Sequence, residues 1–277
     1  MDIIEMLKAI IYGIIEGVTE WLPISSTGHL IIIEQLLPLN VSPQFLEMFR
    51  VVIQLGAVLA VCVLFFKKLN PFSGHKSPTQ KNEVYSIWVK IIIGCIPAGV
   101  LGILFDDWFD SHFYNAPTVA AALIIYGILF IVLEKRNARK DFRILSFRQM
   151  GYQTAFLIGC IQVLALVPGT SRSGSTILGA MLLGVSRGIA AEYSFFLSVP
   201  VMFGASLIKI LGFIKDGAVL SGGEVMVLAV ATAVAFFVSV AAIRFLVSYV
   251  KKHDFKAFGY YRIILGLLVI AYFFFLQ

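Results

Sequence analysis

Residues 9–38, AIIYGIIEGVTEWLPISSTGHLIIIEQLLP, decide how the rest of the chain is read. The sequence runs apolar from Ala9 to Leu22, meets Pro23-Ile24-Ser25-Ser26-Thr27-Gly28, resumes to Leu37 and stops at Pro38. A helix needs about 20 predominantly apolar residues to cross a bilayer, and neither limb is that long. A polar Pro/Ser/Gly break between two short apolar limbs is the pattern of a re-entrant helical hairpin. Such a break is tolerated at membrane depth only where protein or a watery cavity covers the open backbone.

The pattern recurs. Residues 152–185, YQTAFLIGCIQVLALVPGTSRSGSTILGAMLLGV, run apolar to Val167, break at Pro168-Gly169-Thr170-Ser171-Arg172-Ser173-Gly174, and return to Val185. A shift of 146 residues superposes the two breaks: Gly13 falls on Gly159, Ile15 on Ile161, Ser25 on Ser171, Gly28 on Gly174 and Ile31 on Ile177, with Glu16 on Gln162. Apolar sequences match easily, so element order carries more weight. Six stretches are long enough to span, roughly 48–66, 87–105, 117–133, 191–213, 225–247 and 259–276. Each half then reads as one hairpin followed by three spans. An odd number of crossings turns the second half upside down relative to the first, an inverted-topology repeat that places a binding site at the repeat interface. The expected organisation is a single all-α, polytopic membrane domain over 1–277. Its first repeat is 1–145, with a hairpin at about 7–37, and its inverted second repeat is 146–277, with a hairpin at about 151–185.

Composition agrees. Of 277 residues 59% are hydrophobic and 14% charged, and the mean hydropathy is +0.92. A soluble surface needs about 25–35% charged residues, so a soluble globule is excluded. Length alone gives a soft prior of two units at about 150 residues each. The net charge of +6 sits in short loops, where it reads as the positive-inside bias rather than as a nucleic-acid patch. Residues 67–90 hold five Lys/Arg against one acid, 134–150 six against two and 248–262 four against one, whereas 106–116 hold three Asp and no Lys/Arg. With the basic loops inside, the first hairpin enters from outside, the second from the cytoplasm, and both termini lie outside. Cys62, Cys95 and Cys160 each sit in an apolar stretch without ligand spacing and read as small buried hydrophobes. Met1-Asp2-Ile3-Ile4-Glu5 lacks the cationic start of a secretory signal.

An ionisable side chain inside a membrane segment is costly and is a functional hypothesis by default. Glu16 and Glu20 are four apart, which puts both carboxylates on one helix face. Two buried acids repel unless a cation or a shared proton lies between them. They therefore read as a site for a hard divalent cation, Mg2+ or Ca2+, with oxygen ligands, or as an acid/base pair; the plainer alternative is a wet vestibule or basic partners. Ser25, Ser26 and Thr27 open the returning helix, where free N–H groups favour an anion, though the serines also suit simple N-caps. His29, three residues from Ser26, is placed to share its face, while His75, His112 and His253 lie in loops. The second break repeats the hydroxyls as Ser171, Ser173, Ser175 and Thr176 and adds Arg172, whose guanidinium can fork two phosphate oxygens. For a purely structural Arg172 the expected partner is Glu16 or Glu20. Glu47, Arg50 and Glu192 begin spans, and Arg244 and Arg262 lie near cytoplasmic ends where snorkelling accounts for them. Pro97 and Pro200 are expected to kink spans. No P-loop, nucleophile elbow, zinc spacing or nucleotide fingerprint is present. Two helix N-termini, an Arg, hydroxyls, two carboxylates and a His converging in a membrane describe a site for a phosphorylated lipid.

The segments Glu16-Gly17-Val18-Thr19-Glu20, Pro23-Ile24-Ser25-Ser26-Thr27-Gly28-His29 and Pro168-Gly169-Thr170-Ser171-Arg172-Ser173-Gly174-Ser175-Thr176 resemble the undecaprenyl pyrophosphate phosphatase family, also called the bacitracin-resistance proteins. The likeness covers nearly the whole chain, including Gly184-Val185-Ser186-Arg187 and the Val199-Pro200 span. It implies a bacterial plasma-membrane hydrolase that removes the terminal phosphate of undecaprenyl diphosphate and so recycles the lipid carrier of peptidoglycan synthesis. It also implies divalent-metal dependence, a site open to the outer face, bacitracin resistance on overproduction, and a homodimer. By position, the resemblance puts the acidic motif on Glu16 and Glu20, the proposed nucleophile on Ser26, the histidine on His29 and the phosphate-binding arginine on Arg172. Ser25, Thr27, Ser171, Ser173 and Thr176 are further phosphate-binding candidates. The rival reading is an inverted-repeat transporter or flippase for a lipid phosphate or small anion, because that class shares the architecture.

Overall fold

A computed structural model describes residues 3–138 and 141–275, apart from the side chains of 106, 107, 110, 274 and 275. The elements are α1 (Ile3–Thr19), α2 (Ser26–Leu36), α3 (Pro43–Val52), α4 (Gln54–Leu64), α5 (Phe66–Leu69), α6 (Pro78–Phe113), α7 (Ala116–Asn137), α8 (Tyr152–Gln162) with a 3-10 turn (Val163–Leu166), α9 (Arg172–Leu182), α10 (Arg187–Lys215), α11 (Gly222–Tyr249) and α12 (Lys256–Phe275). No strand occurs among the described residues; one isolated bridge joins Ile144 and Val185. Six segments are long and apolar enough to cross a membrane, the first made of α3 and α4 in series. At most half of an 18-residue apolar stretch in any span is buried (28–50%), and every span exposes large apolar side chains, among them Val63, Ile103, Val132, Leu207, Phe237 and Leu268. Water would not tolerate that area; lipid does. The protein is an all-α, multi-pass membrane protein.

Local chemistry explains where the helices begin. Ser42 caps α3 by accepting from Phe45 N (3.3 Å), and Pro43 occupies the first turn, where its missing N–H costs nothing. Asn115 caps α7 in the same way through Thr118 N (2.9 Å). Ser221 and Glu224 form a reciprocal capping box on α11. Pro97 and Pro200 lie inside α6 and α10. The spans exceed the expected bounds chiefly at α6, which runs unbroken through the expected loop at 106–113 and begins at Pro78 rather than near 87. The amphipathic ends of a spanning helix continue past the bilayer, so a count of apolar residues underestimates its length. Cys160 is exposed, not buried as expected, while Cys62 and Cys95 are half-buried.

The two broken segments are matched to the residue. α2 and α9 begin and end 146 positions apart, each preceded by a capping serine. Packing follows the same relation: α1 lies on α11, α8 on α6, and α7 on α12. Glycines bring the partners into backbone contact. A Cβ on Gly13 would meet Ala231 O at 2.5 Å and one on Gly17 would meet Ala235 O at 2.8 Å, so α1 and α11 run side by side in the same direction. A Cβ on Gly159 would meet Gly94 O at 2.3 Å, and one on Gly102 would come 3.6 Å from Leu166, which sets α8 and α6 parallel too. α7 and α12 are antiparallel, with Gly127 against Gly259 and Gly266 against Ala120.

Hydrogen bonds gather the loops into two ends. Glu134 takes Arg187 Nε (2.9 Å) and Phe255 N (3.0 Å), Lys90 donates to Phe147 O (2.8 Å), and Arg148 pairs with Glu83. The three basic loops therefore share one end of the molecule. At the other end Ser42 donates from its backbone N (3.0 Å) and its hydroxyl (2.6 Å) to Glu224.

Candidate active site

The breaks meet inside the bundle, and the sequence around each dictates the turn. Ser25 (φ 74°) and Ser171 (φ 70°) are the only described non-glycine residues with positive φ. A left-handed backbone costs a side-chain-bearing residue roughly 1–3 kcal/mol, and here it occurs at two positions 146 apart. Each serine compensates by capping the helix it precedes, Ser25 Oγ accepting from Gly28 N (3.2 Å) and Ser171 Oγ from Gly174 N (3.1 Å). The N-cap alternative expected for the first-break serines is therefore observed at Ser25, and Ser171 does the same in the second break.

From these turns, Glu20 and Ser26 of the first segment face Arg172 of the second. Ser26 Oγ donates to Glu20 Oε2 (2.9 Å), while Arg172 donates to Glu20 Oε1 from Nε (3.2 Å) and Nη2 (3.0 Å). Arg172 also donates from Nη1 to Ser194 O (2.8 Å) and lies 6.0 Å from the centre of the Trp21 ring. Of the two acids anticipated as its partner, Glu20 is the one it takes. The Arg172 and Glu20 side chains are only 11% and 6% exposed, so charge interactions between them are weakly screened.

Glu16 lies one turn before Glu20, fully buried, and neither carboxylate oxygen has a hydrogen-bond partner. Two unmet oxygens on a buried acid cost several kcal/mol unless a cation or proton meets them. These hard oxygen donors fit a divalent cation. The described residues contain no group of three His, Cys, Asp or Glu side chains able to hold one, so Glu16 and Glu20 would leave the rest of such an ion's shell to other oxygens.

The other expected residues divide. Ser173 Oγ donates to Glu20 O (3.0 Å), and Thr176 Oγ1 reaches Arg172 O (2.8 Å) and Ser194 Oγ (2.7 Å). Both residues are fully buried, and their hydroxyls brace the broken segments from within. Ser171 Oγ lies 3.2 Å from Ser173 Oγ, and Thr27 is half-buried in the first turn of α2. His29 does not bond Ser26. Its Nδ1 lies 2.7 Å from Ser25 O and its Nε2 2.7 Å from Tyr261 Oη, with the two rings stacked at 5.6 Å.

One expectation is overturned. Arg262, read as a snorkelling residue, is fully buried, and its guanidinium faces Gly169 O (2.8 Å), Thr170 O (3.0 Å) and Pro23 O (3.3 Å). Broken backbone leaves carbonyls that lipid cannot satisfy, and those of both breaks draw Arg262 inward. Arg244 is exposed, as snorkelling requires. Tyr261, Ser194 and Arg262 were not anticipated as site residues. Arg262 had a signal in its place within an apolar span; Ser194 and Tyr261 had none.

Fold and centre together define a class: a multi-pass helical membrane protein whose acid, hydroxyl and guanidinium groups are assembled where two broken helical segments meet. The model of the family described as bacitracin resistance protein BacA matches residues 9–268. A protein of Desulfitobacterium hafniense named undecaprenyl-diphosphatase is 56% identical over 274 residues, 99% of this chain and 98% of its own length. Proteins of the same name from Acetivibrio thermocellus and Enterococcus faecalis are 55% and 53% identical, each alignment covering at least 97% of both chains. The chain belongs to the bacitracin resistance protein BacA family.

Proposed function

We propose that this protein hydrolyses undecaprenyl diphosphate to undecaprenyl phosphate and inorganic phosphate, recycling the lipid carrier for cell-wall synthesis, and that its expression confers resistance to bacitracin. The shared name of its full-length relatives supports the substrate. The observation that carries the chemistry is Glu20, one of whose oxygens accepts from the Ser26 hydroxyl while the other accepts from Arg172. In this reading the nucleophile and the phosphate-binding cation both hydrogen-bond one carboxylate, which is itself the base.

In this reading Arg172 exchanges its bonds to Glu20 for oxygens of the incoming diphosphate. Ser26 Oγ attacks the terminal phosphorus, its proton passes to Glu20 Oε2, and the bond from that phosphorus to the bridging oxygen breaks, releasing undecaprenyl phosphate. Water then hydrolyses the phosphoserine, and the proton held by Glu20 returns to Ser26. Alternatively Ser26 positions a water that attacks directly. Glu20, already bonded to Ser26, suits the base role better than His29, which is turned to Ser25 O and Tyr261. A divalent cation, Mg2+ or Ca2+, would be held by Glu16 and Glu20. When bound it supplies charge neutralisation for the phosphate oxygens, usually the largest contribution in phosphoryl transfer.

The matched breaks, the parallel α1/α11 and α8/α6 pairs and the antiparallel α7/α12 pair support two inverted repeats with re-entrant hairpins. On that reading the protein sits in the bacterial plasma membrane with the basic loops in the cytoplasm and the centre open to the outer face. The deciding experiment measures phosphate release from undecaprenyl or farnesyl diphosphate by purified protein in detergent, where no gradient exists. Metal-dependent release that falls at least about 10³-fold in Arg172→Ala is expected. Binding without release by the wild type overturns the enzyme in favour of a carrier.

A further inference from the structure

Arg262 is a fully buried cation with no carboxylate partner among the described residues. Five main-chain carbonyls surround its guanidinium: Pro23 O (3.3 Å) in the first break, Gly169 O (2.8 Å) and Thr170 O (3.0 Å) in the second, and Ala122 O and Leu123 O of α7 (both 3.5 Å). Its charge lies 5.5 Å from the Tyr126 ring centre, and a Cβ on Gly174 would come within 3.1 Å of its Nη1. The side chain thus fills the space behind the first turn of α9, touching both breaks from a helix that belongs to neither.

We propose that Arg262 is a positioning residue that sets the distance between the two halves of the catalytic centre. The proposal rests on the phosphatase reading above. Pro23 is three residues before Ser26 and Thr170 two before Arg172, so the carbonyls held by Arg262 lie on the short stretches that carry those two groups. Displacing either carbonyl moves its reacting group, and a misplacement of about 1 Å costs roughly 10²-fold in rate. Only a guanidinium suits the geometry, because its five donors radiate in a plane toward acceptors on three elements, whereas a lysine ammonium is one compact point. The repeat does not duplicate the device: 146 positions earlier stands Ala116. One strap serves both breaks.

The test uses full-length Arg262→Lys and Arg262→Ala, with Arg244→Ala as an exposed control, and two readouts. Steady-state hydrolysis of farnesyl diphosphate in detergent should show kcat reduced about 10²-fold with KM within about threefold of the wild type. Hydrogen exchange over residues 20–28 and 168–176 should be faster in both breaks in the Lys variant and unchanged in the control. Near-wild-type kcat in Arg262→Lys overturns the proposal, as does a loss of kcat matched by an equal loss of monodisperse protein. If the wild type releases no phosphate, the phosphatase reading fails, and exchange alone then judges the strap: protection unchanged in either break sinks it. Should the Ala variant not accumulate, the Lys variant, which keeps charge and bulk, carries both measurements.

Discussion

Glu20 holds two partners through two different oxygens, and removing its charge disturbs both. Glu20→Gln keeps the shape but leaves Arg172 without its carboxylate and Ser26 without its proposed base. We expect kcat/KM to fall by at least about 10³-fold while the protein still purifies as a monodisperse species. Activity within about tenfold of wild type would remove Glu20 from the reaction. Ser26→Ala asks a narrower question. If Ser26 is the nucleophile, brief incubation with terminally labelled diphosphate labels the wild type and not the variant; an unlabelled wild type with normal turnover establishes direct attack by water. Glu16 tests the proposed metal. Chelation should abolish turnover and Mg2+ or Ca2+ restore it, and Glu16→Gln should raise the metal concentration needed for half-maximal rate. An unchanged requirement would assign the orphan oxygens of Glu16 to a bound proton instead.

At the scale of elements, the breaks depend on residues that local propensity alone would not choose. Ser171 and Ser25 adopt left-handed backbones and cap α9 and α2. Ser171→Ala removes the cap and keeps the strain, so it should lower stability by about 1 kcal/mol or more, whereas Ser171→Gly relieves the strain and should cost less. Thermal unfolding in detergent that ranks Ala above Gly would contradict this. The helix pairs are legible from glycines in hindsight, but the sequence does not say which helix approaches. Gly159→Val should destabilise strongly, because its Cβ would fall 2.3 Å from Gly94 O, while Gly102→Ala, with its nearest neighbour at 3.6 Å, should be tolerated. Periodicity and turn residues made both breaks visible and placed Ser25, Ser26 and Arg172 at their tips. The same signals misjudged the ends of α6, because helical hydrogen bonding continues beyond the apolar stretch.

For the molecule as a whole, Glu134 ties α7, α10 and the entry to α12 together at the basic end. Its carboxylate is fully buried and accepts from Arg187 and from Phe255 N. Breaking a buried pair costs about 3–5 kcal/mol, toward the lower end here because the Arg187 side chain is 25% exposed. Glu134→Ala should therefore lower the midpoint of thermal unfolding and leave KM unchanged; an equal Tm would show the pair to be marginal. Orientation is tested by single cysteines introduced into Cys-free protein at exposed Asn40 and exposed Gly74. A membrane-impermeant maleimide applied to intact cells should label Asn40→Cys and spare Gly74→Cys. The reverse pattern would invert the topology.

Residue order was enough to show that the chain lives in a membrane, where its two breaks fall, and which acids, hydroxyls and arginine they carry. These are local properties, set by hydrophobic length, turn-forming residues and the cost of a buried charge. The pairings came from packing: Arg172 with Glu20 rather than Glu16, Ser26 with Glu20 rather than His29, and Arg262 between the breaks rather than at the membrane surface. Each joins residues within reach of several partners, or separated by as many as 239 positions. Spacing along the chain limits what one helix face presents, and only the packing of helices from both halves selects which face it meets.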